Sequence, residues 1–240
     1  MMCSIIKRVS FLFTIFFVTQ LSAQERILIF SKTTGFRHES IEHGVAVLKQ
    51  LISSKNMLVD HSEDSQLFTD SILSRYDALV FLSTTGDIFN ESQKAAFVRF
   101  IQSGKGFLGI HAASDTEFNW PWYGQLVGGY FSSHPAVQDA QIRVVNQKHL
   151  ATKHLPKIWF HRDEWYDFKS VREGLHILMD LDETSYKGGK MGKFHPIAWY
   201  QEFDGGRSFY TGLGHTLETF DEEKFQTHVL GGLRYVLKKK

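Results

Sequence analysis

Residues 106–116, "GFLGIHAASDT", carry an apolar run onto a histidine. A strand that ends in a small-residue turn resembles the sharp strand-to-helix elbow on which enzymes mount a Ser or Cys nucleophile. Here the tip is His111. An imidazole at that position can serve as general base, metal ligand or hydrogen-bond donor to a substrate. Asp115 lies four residues on, and Gly106, Gly109, Ala112 and Ala113 leave room for close backbone approach. A place on a strand-end loop predicts little core burial for His111.

Other stretches hold comparable chemistry. "TTGFRHES" places Arg37 and His38 after the first strand, either as plain helix initiation with Glu39 at the positive helix end or facing a crevice. "GGYFSSHP" puts His134 before Pro135, which biases it to an extended conformation. "FHRDEWYDF" combines His161, Arg162, Asp163, Glu164, Trp165 and Tyr166. If extended, Glu164 and Tyr166 share one face, and His161 and Asp163 the other. Charged groups beside aromatic rings suit a sugar, whose ring face packs on an aromatic while its hydroxyls bond carboxylates. His195 and His215 follow in "KFHPIAWY" and "YTGLGHT", the latter with Gly212 and Gly214 at the turn. No H-E-x-x-H or clustered His/Cys pattern is present, so no metal motif is readable. Scattered ligands leave a divalent metal open. With no P-loop and no well-placed G-x-G-x-x-G, no nucleotide site is expected.

These residues need a frame. "RILIFS", "MLVDHS", residues 78–82 and "GFLGI" read as buried strands. Between them, Ile41, Val45, Leu48 and Ile52 keep helical spacing, and "NESQKAAFVRFIQSG" reads as a helix capped by Asn90 and closed by Gly104. Continuous apolar strands alternating with helices predict a parallel sheet covered on both faces. After residue 130, "QIRVVN", "IWFHRDEWYDF", "HILMDLD", "PIAWYQEF" and "GRSFYTGLGH" read as further strands and loops lying over that sheet, and residues 220–239 as one closing helix. The loops carrying His38 and His111 follow strand C-terminal ends, where open α/β sheets bind ligands.

The 240-residue chain opens with Lys7 and Arg8, then an apolar run over residues 9–18, then Ser22 and Ala23. That is the plan of a secretory signal peptide over residues 1–23, cleaved near Ala23–Gln24. The run is shorter than the roughly 20 residues a membrane span needs. No stable membrane insertion is expected after cleavage, and residues 24–240 read as one α/β domain. The only cysteine, Cys3, falls in the leader, so the exported part must hold together without disulfides. Without Lys7 and Arg8 the balance is 25 basic to 26 acidic residues, a formal −1 that gives no nucleic-acid footprint.

Taken together, "TTGFRHESI", "LSTTGD", "GIHAASDT", "GGYFSSHP", "RDEWYDF", "HPIAWY" and "TGLGHT" resemble the ThuA-like, trehalose-utilisation family over residues 26–235. The resemblance implies a class I glutamine amidotransferase-like, flavodoxin-like fold: three layers, a mostly parallel sheet with helices on both faces, and extra strands and loops in the C-terminal half. In amidotransferases the elbow carries a catalytic cysteine. Here it carries His111, and no cysteine follows the leader, which excludes thiol amidotransfer. The resemblance also implies a small carbohydrate substrate, an oxidised disaccharide or 3-keto-glycoside. It implies a site centred on His111, with Asp115, His134, Glu164 and His215 as companions; the residue reading puts His134, Glu164 and His215 with His111 in catalysis and Arg37, His38, Asp115, Asp163, Trp165, Tyr166 and His195 around the substrate.

The reading that follows is an exported enzyme that abstracts a proton beside a ketone, for isomerisation or elimination, with His111 or Glu164 as base. A non-catalytic carbohydrate-binding domain is the alternative, with Trp120, Trp122, Trp165 and Tyr166 as its platform. An interaction-only scaffold is a third, and it predicts histidines that do not converge.

Overall fold

The computed structural model describes residues 24–239, and the expected leader lies outside them. Its elements run β1 (Arg26–Phe30), α1 (Ser40–Ser53), β2 (Leu58–Ser62), α2 (Asp70–Leu73), β3 (Ala78–Leu82), α3 (Glu91–Gln102), β4 (Gly106–Ile110), α4 (Pro121–Val127), β5 (Tyr130–Ser133), β6 (Gln138–Val144), β7 (Ile158–Asp163), β8 (Asp167–Lys169), β9 (His176–Asp182), β10 (Pro196–Phe203), β11 (Gly206–Thr211), α5 (Leu217–Asp221) and α6 (Glu223–Val236).

Every residue of β3 and β4 is buried, as continuous apolar strands demand when helices cover both faces. Adjacent residues of β11 show the two layers: Phe209 packs against Gly232 of α6, and the Ser208 hydroxyl donates to the Leu126 carbonyl of α4. Phe81 meets Phe97, Phe107 and Phe68 at ring distances of 5.3, 5.2 and 6.1 Å. Truncating such a ring to alanine costs about 3–5 kcal/mol. Asn90 caps α3 in a reciprocal box with Gln93.

The main sheet has nine strands in the order β2-β1-β3-β4-β11-β10-β9-β6-β7. The run from β2 to β11 is parallel, and each pairing from β11 to β7 is antiparallel. Asp204 and Gly205, at φ +46° and +89°, make the two-residue turn that joins β10 to β11 and reverses the chain.

Three expectations need correction. The C-terminal strands do not lie over the parallel sheet; β6, β7, β9 and β10 extend it edge to edge, and among the described residues only β5 and β8 form a separate pair. The stretch 158–168 is two strands, because the chain leaves the sheet after Asp163. The closing helix is broken at Glu222, whose extended backbone (φ −75°, ψ 123°) ends α5 and starts α6.

Candidate active site

His111 stands directly after β4 with φ +50°, a left-handed conformation that costs a non-glycine residue on the order of 1–3 kcal/mol. Its surroundings hold it there. The Tyr210 hydroxyl donates to its carbonyl at 2.7 Å, and its ring Nδ1–H donates to the Gly212 carbonyl at 2.8 Å. A carbonyl can only accept, so Nδ1 carries a proton, and Nε2 is left to face Glu164 and His215. The elbow exists, but the side chain is fully buried, against the expectation of an exposed loop. It does not stand on the pocket wall; it reaches the pocket through its neighbours.

Those neighbours come from two other turns. His215 follows Gly214, whose φ of +115° only glycine adopts readily. Its Nδ1 lies 3.3 Å from His111 Nε2 and 3.1 Å from Glu164 Oε2. Glu164 Oε2 is 3.4 Å from His111 Nε2, and its other oxygen is 2.9 Å from His134 Nδ1. His38, at the entry to α1, sets its ring edge-on to His111 and His215 at 4.8 and 5.2 Å.

The protonation states follow from burial and charge. Burial opposes the Glu164 carboxylate, yet hydrogen bonds from His111 and His215 win and hold it below the usual carboxylate range. Burial likewise opposes a charged His215, but the Glu164 carboxylate outweighs it and raises the imidazole. His38 has no such compensation: burial, then the neighbouring His111 and His215, push it down to about 3, so it is neutral. Asp115 goes the other way. Burial lifts its carboxyl to about 6, only partly offset by His111.

Asp163 builds this arrangement rather than meeting a substrate, which corrects its expected role. It is fully buried, and its two oxygens accept the backbone N–H of Glu164 at 2.9 Å, Gly214 at 2.8 Å and His215 at 3.0 Å. His195 is also a support. Its Nε2–H donates to the Tyr166 carbonyl at 2.8 Å, and its Nδ1 meets Glu183 at 2.7 Å. Two further substrate contacts are not made. Arg37 turns to Glu42 and Glu63, and Trp165 is buried with its indole N–H on the Gln138 carbonyl. Trp120 and Trp122 pack on Phe97 instead of joining Trp165, so the aromatic platform of a binding module does not assemble.

What remains is a pocket of ≈ 330 Å³ at the C-terminal ends of the parallel strands. His38, His134, Glu164, His215, Asp115 and Tyr166 line it. Although the chain has left the sheet, Glu164 and Tyr166 do share the side facing the pocket. Two wall residues, Phe36 and Phe131, escaped the sequence reading. Phe36 meets His38 edge-on at 4.9 Å, and Phe131 packs on Tyr166 at 4.3 Å. An isolated Phe in a loop carries no periodic signal that separates it from a core residue.

Among the described residues, two groups bring donor atoms close enough to hold a metal ion: His38, His111, Glu164 and His215, and separately Asp167, Glu183 and His195.

The profile of the ThuA family, described as trehalose utilisation, matches residues 26–236. No curated protein matches the chain. Among solved structures, a ThuA-like protein of Bacteroides uniformis ATCC 8492 is 21% identical with a TM-score of 0.75, the match covering 92% of this chain and 95% of that one. A ThuA-like protein of Parabacteroides merdae ATCC 43184 is 21% identical with a TM-score of 0.74, covering 90% and 91%. A β-galactosidase from Bacillus circulans sp. alkalophilus contains the same fold, at 13% identity and TM-score 0.60 over 90% of this chain and 31% of that enzyme.

Proposed function

Given that the chain belongs to the ThuA family, described as trehalose utilisation, we propose that it is an exported enzyme acting on keto-glycosides by proton abstraction beside the ketone. The observation that carries this reading is one pocket holding two carboxyl groups in opposite electrostatic settings. Glu164 is kept ionised by histidines, while burial brings Asp115 to about 6, near the working pH of a general base.

A ketone at sugar C3 acidifies the C2 hydrogen. Asp115, as carboxylate, takes that proton, and the electron pair moves onto the ketone oxygen to give an enolate. The His134 and His215 imidazoles on the pocket wall are the donors available to that oxygen. Two outcomes balance. Proton return to the former carbonyl carbon, with transfer of the C2 hydroxyl proton to the enolate oxygen, moves the ketone to C2. Alternatively, the electron pair expels the glycosidic oxygen from C1, and that oxygen takes a proton. Neither route needs the paired-carboxylate scheme of ordinary glycosidases. The apolar faces of Phe36, Phe131 and Tyr166 suit a sugar ring.

Purified protein incubated with matched native and 3-keto glycosides tests the proposal. Turnover confined to the keto forms is expected; turnover of native glycosides at the same rate would overturn it.

A further inference from the structure

We propose that His38, His111, His215 and Glu164 form a binding site for one divalent first-row transition metal ion, with zinc as the best-matched ion. His111 Nε2, His215 Nδ1 and Glu164 Oε2 are separated by 3.3, 3.1 and 3.4 Å. Zinc bonds to nitrogen and oxygen of about 2.0–2.2 Å require tetrahedral edges of roughly 3.3–3.6 Å. The triangle is therefore close to one face of a coordination tetrahedron.

His38 supplies the fourth corner. One of its ring nitrogens lies within 4.8 Å of the other donors; Nε2 faces the Tyr166 hydroxyl at 3.4 Å, and Nδ1 is buried with no hydrogen-bond partner. The His38 side chain is only 3% exposed, so that orphaned atom has no solvent to turn to. An unpaired polar atom so placed is uncommon and calls for a ligand or water. The three imidazole rings meet nearly at right angles, at 89°, 87° and 72°. That lets each aim an edge, not a face, at a common centre.

The outer contacts fit as well. Metal-bound histidines donate their second N–H to a carbonyl or carboxylate, which fixes the tautomer. His111 does this through Nδ1–H to the Gly212 carbonyl. His134 holds the free oxygen of Glu164, leaving Oε2 for the ion. Asp163 pins the backbone of both Glu164 and His215. A neutral imidazole plus carboxylate set favours zinc and its neighbours over magnesium or calcium, which take oxygen ligands.

The second group, Asp167, Glu183 and His195, does not compete. Asp167 accepts from Ser133 and the Lys190 backbone, Glu183 from the Met191 backbone and His195, and the other His195 nitrogen is spent on Tyr166.

The test needs no substrate, so it stands apart from the sugar reading. Chelator-stripped protein is titrated with zinc chloride by calorimetry, and metal content is measured after dialysis. One equivalent per chain is expected, with proton release and a raised Tm. Cobalt(II) should give the visible absorption of a four-coordinate site. Glu164→Gln and His215→Ala should each weaken zinc binding at least about a hundredfold. Far-UV circular dichroism of the zinc-free variants establishes that they fold. Folded wild type that takes up no zinc would overturn the proposal, and so would a folded E164Q/H215A double variant that still binds one equivalent with wild-type affinity.

Discussion

The Asp163 carboxylate accepts the backbone N–H of His215 at 3.0 Å, and through that bond the end of β7 is tied to the turn after β11. The same carboxylate holds Glu164 and Gly214. One buried charge therefore sets the spacing between the two side chains that face each other across the site. Burial opposes that charge, but His161 and the backbone donors keep Asp163 below its ordinary pKa.

Asp163→Asn puts an NH2 group where one oxygen accepts. Breaking a buried ion-paired group in this way costs about 3–5 kcal/mol. Urea unfolding should show that loss, and turnover of keto substrates should fall with it. Unchanged stability would mean that the Gly214–His215 turn is held by other contacts.

Asp115→Asn should behave differently. Its carboxyl lines the pocket, and its raised pKa marks an ionised form that burial disfavours, so above pH 6 the substitution should hold or raise stability. The rate should drop on the order of a hundredfold to ten-thousandfold. As a base, Asp115 works when ionised. With its pKa raised to about 6, kcat/KM should climb as pH rises through 6 and level off above it. A pH profile flat between 5 and 7 would count against this role.

His228 offers a stability test away from the site. It is fully buried, donates from Nδ1 to the Ala151 carbonyl at 2.8 Å, and burial pushes it down to about 3. Unfolded, it takes a proton near pH 6.5. As pH falls below 6.5 the unfolded chain binds that proton and the folded chain does not, so stability falls. The loss from this one group should reach roughly 2 kcal/mol by pH 5, and above pH 6.5 it vanishes. Denaturation at pH 7 and pH 5 should show a smaller difference for His228→Gln than for the wild type.

Export is checked at the N-terminus. Mass spectrometry of protein recovered from its native cells should find a chain beginning at Gln24. An intact Met1 chain confined to the cytosol would contradict the signal-peptide reading.

Much of the frame is visible in the sequence because local signals and tertiary demands agree there. The buried runs of β3 and β4, the Asn90 cap and the Gly-marked turns each encode their own geometry. His38, His134, Glu164 and His215 stand out because they sit at strand ends or beside Gly and Pro. Asp163 does not stand out as a support. Its role depends on N–H groups of Gly214 and His215, about fifty residues downstream, and no spacing rule reaches that far. His111 shows the same limit: its burial comes from Tyr210, Gly212 and Tyr166 closing over it. The antiparallel extension of the sheet was hidden for a related reason. Edge-to-edge pairing and stacking over a face use the same alternating strands.

Solvent deuterium exchange is the most direct measurement of the central claim. A 3-keto glycoside is incubated with the enzyme in D2O, and the carbon beside the ketone is followed by NMR. Deuterium at C2, or in a product formed through C2, is expected for wild type, with a loss of at least about a hundredfold for Asp115→Asn. A wild-type protein that consumes the sugar while every C2 hydrogen stays in place would contradict that claim.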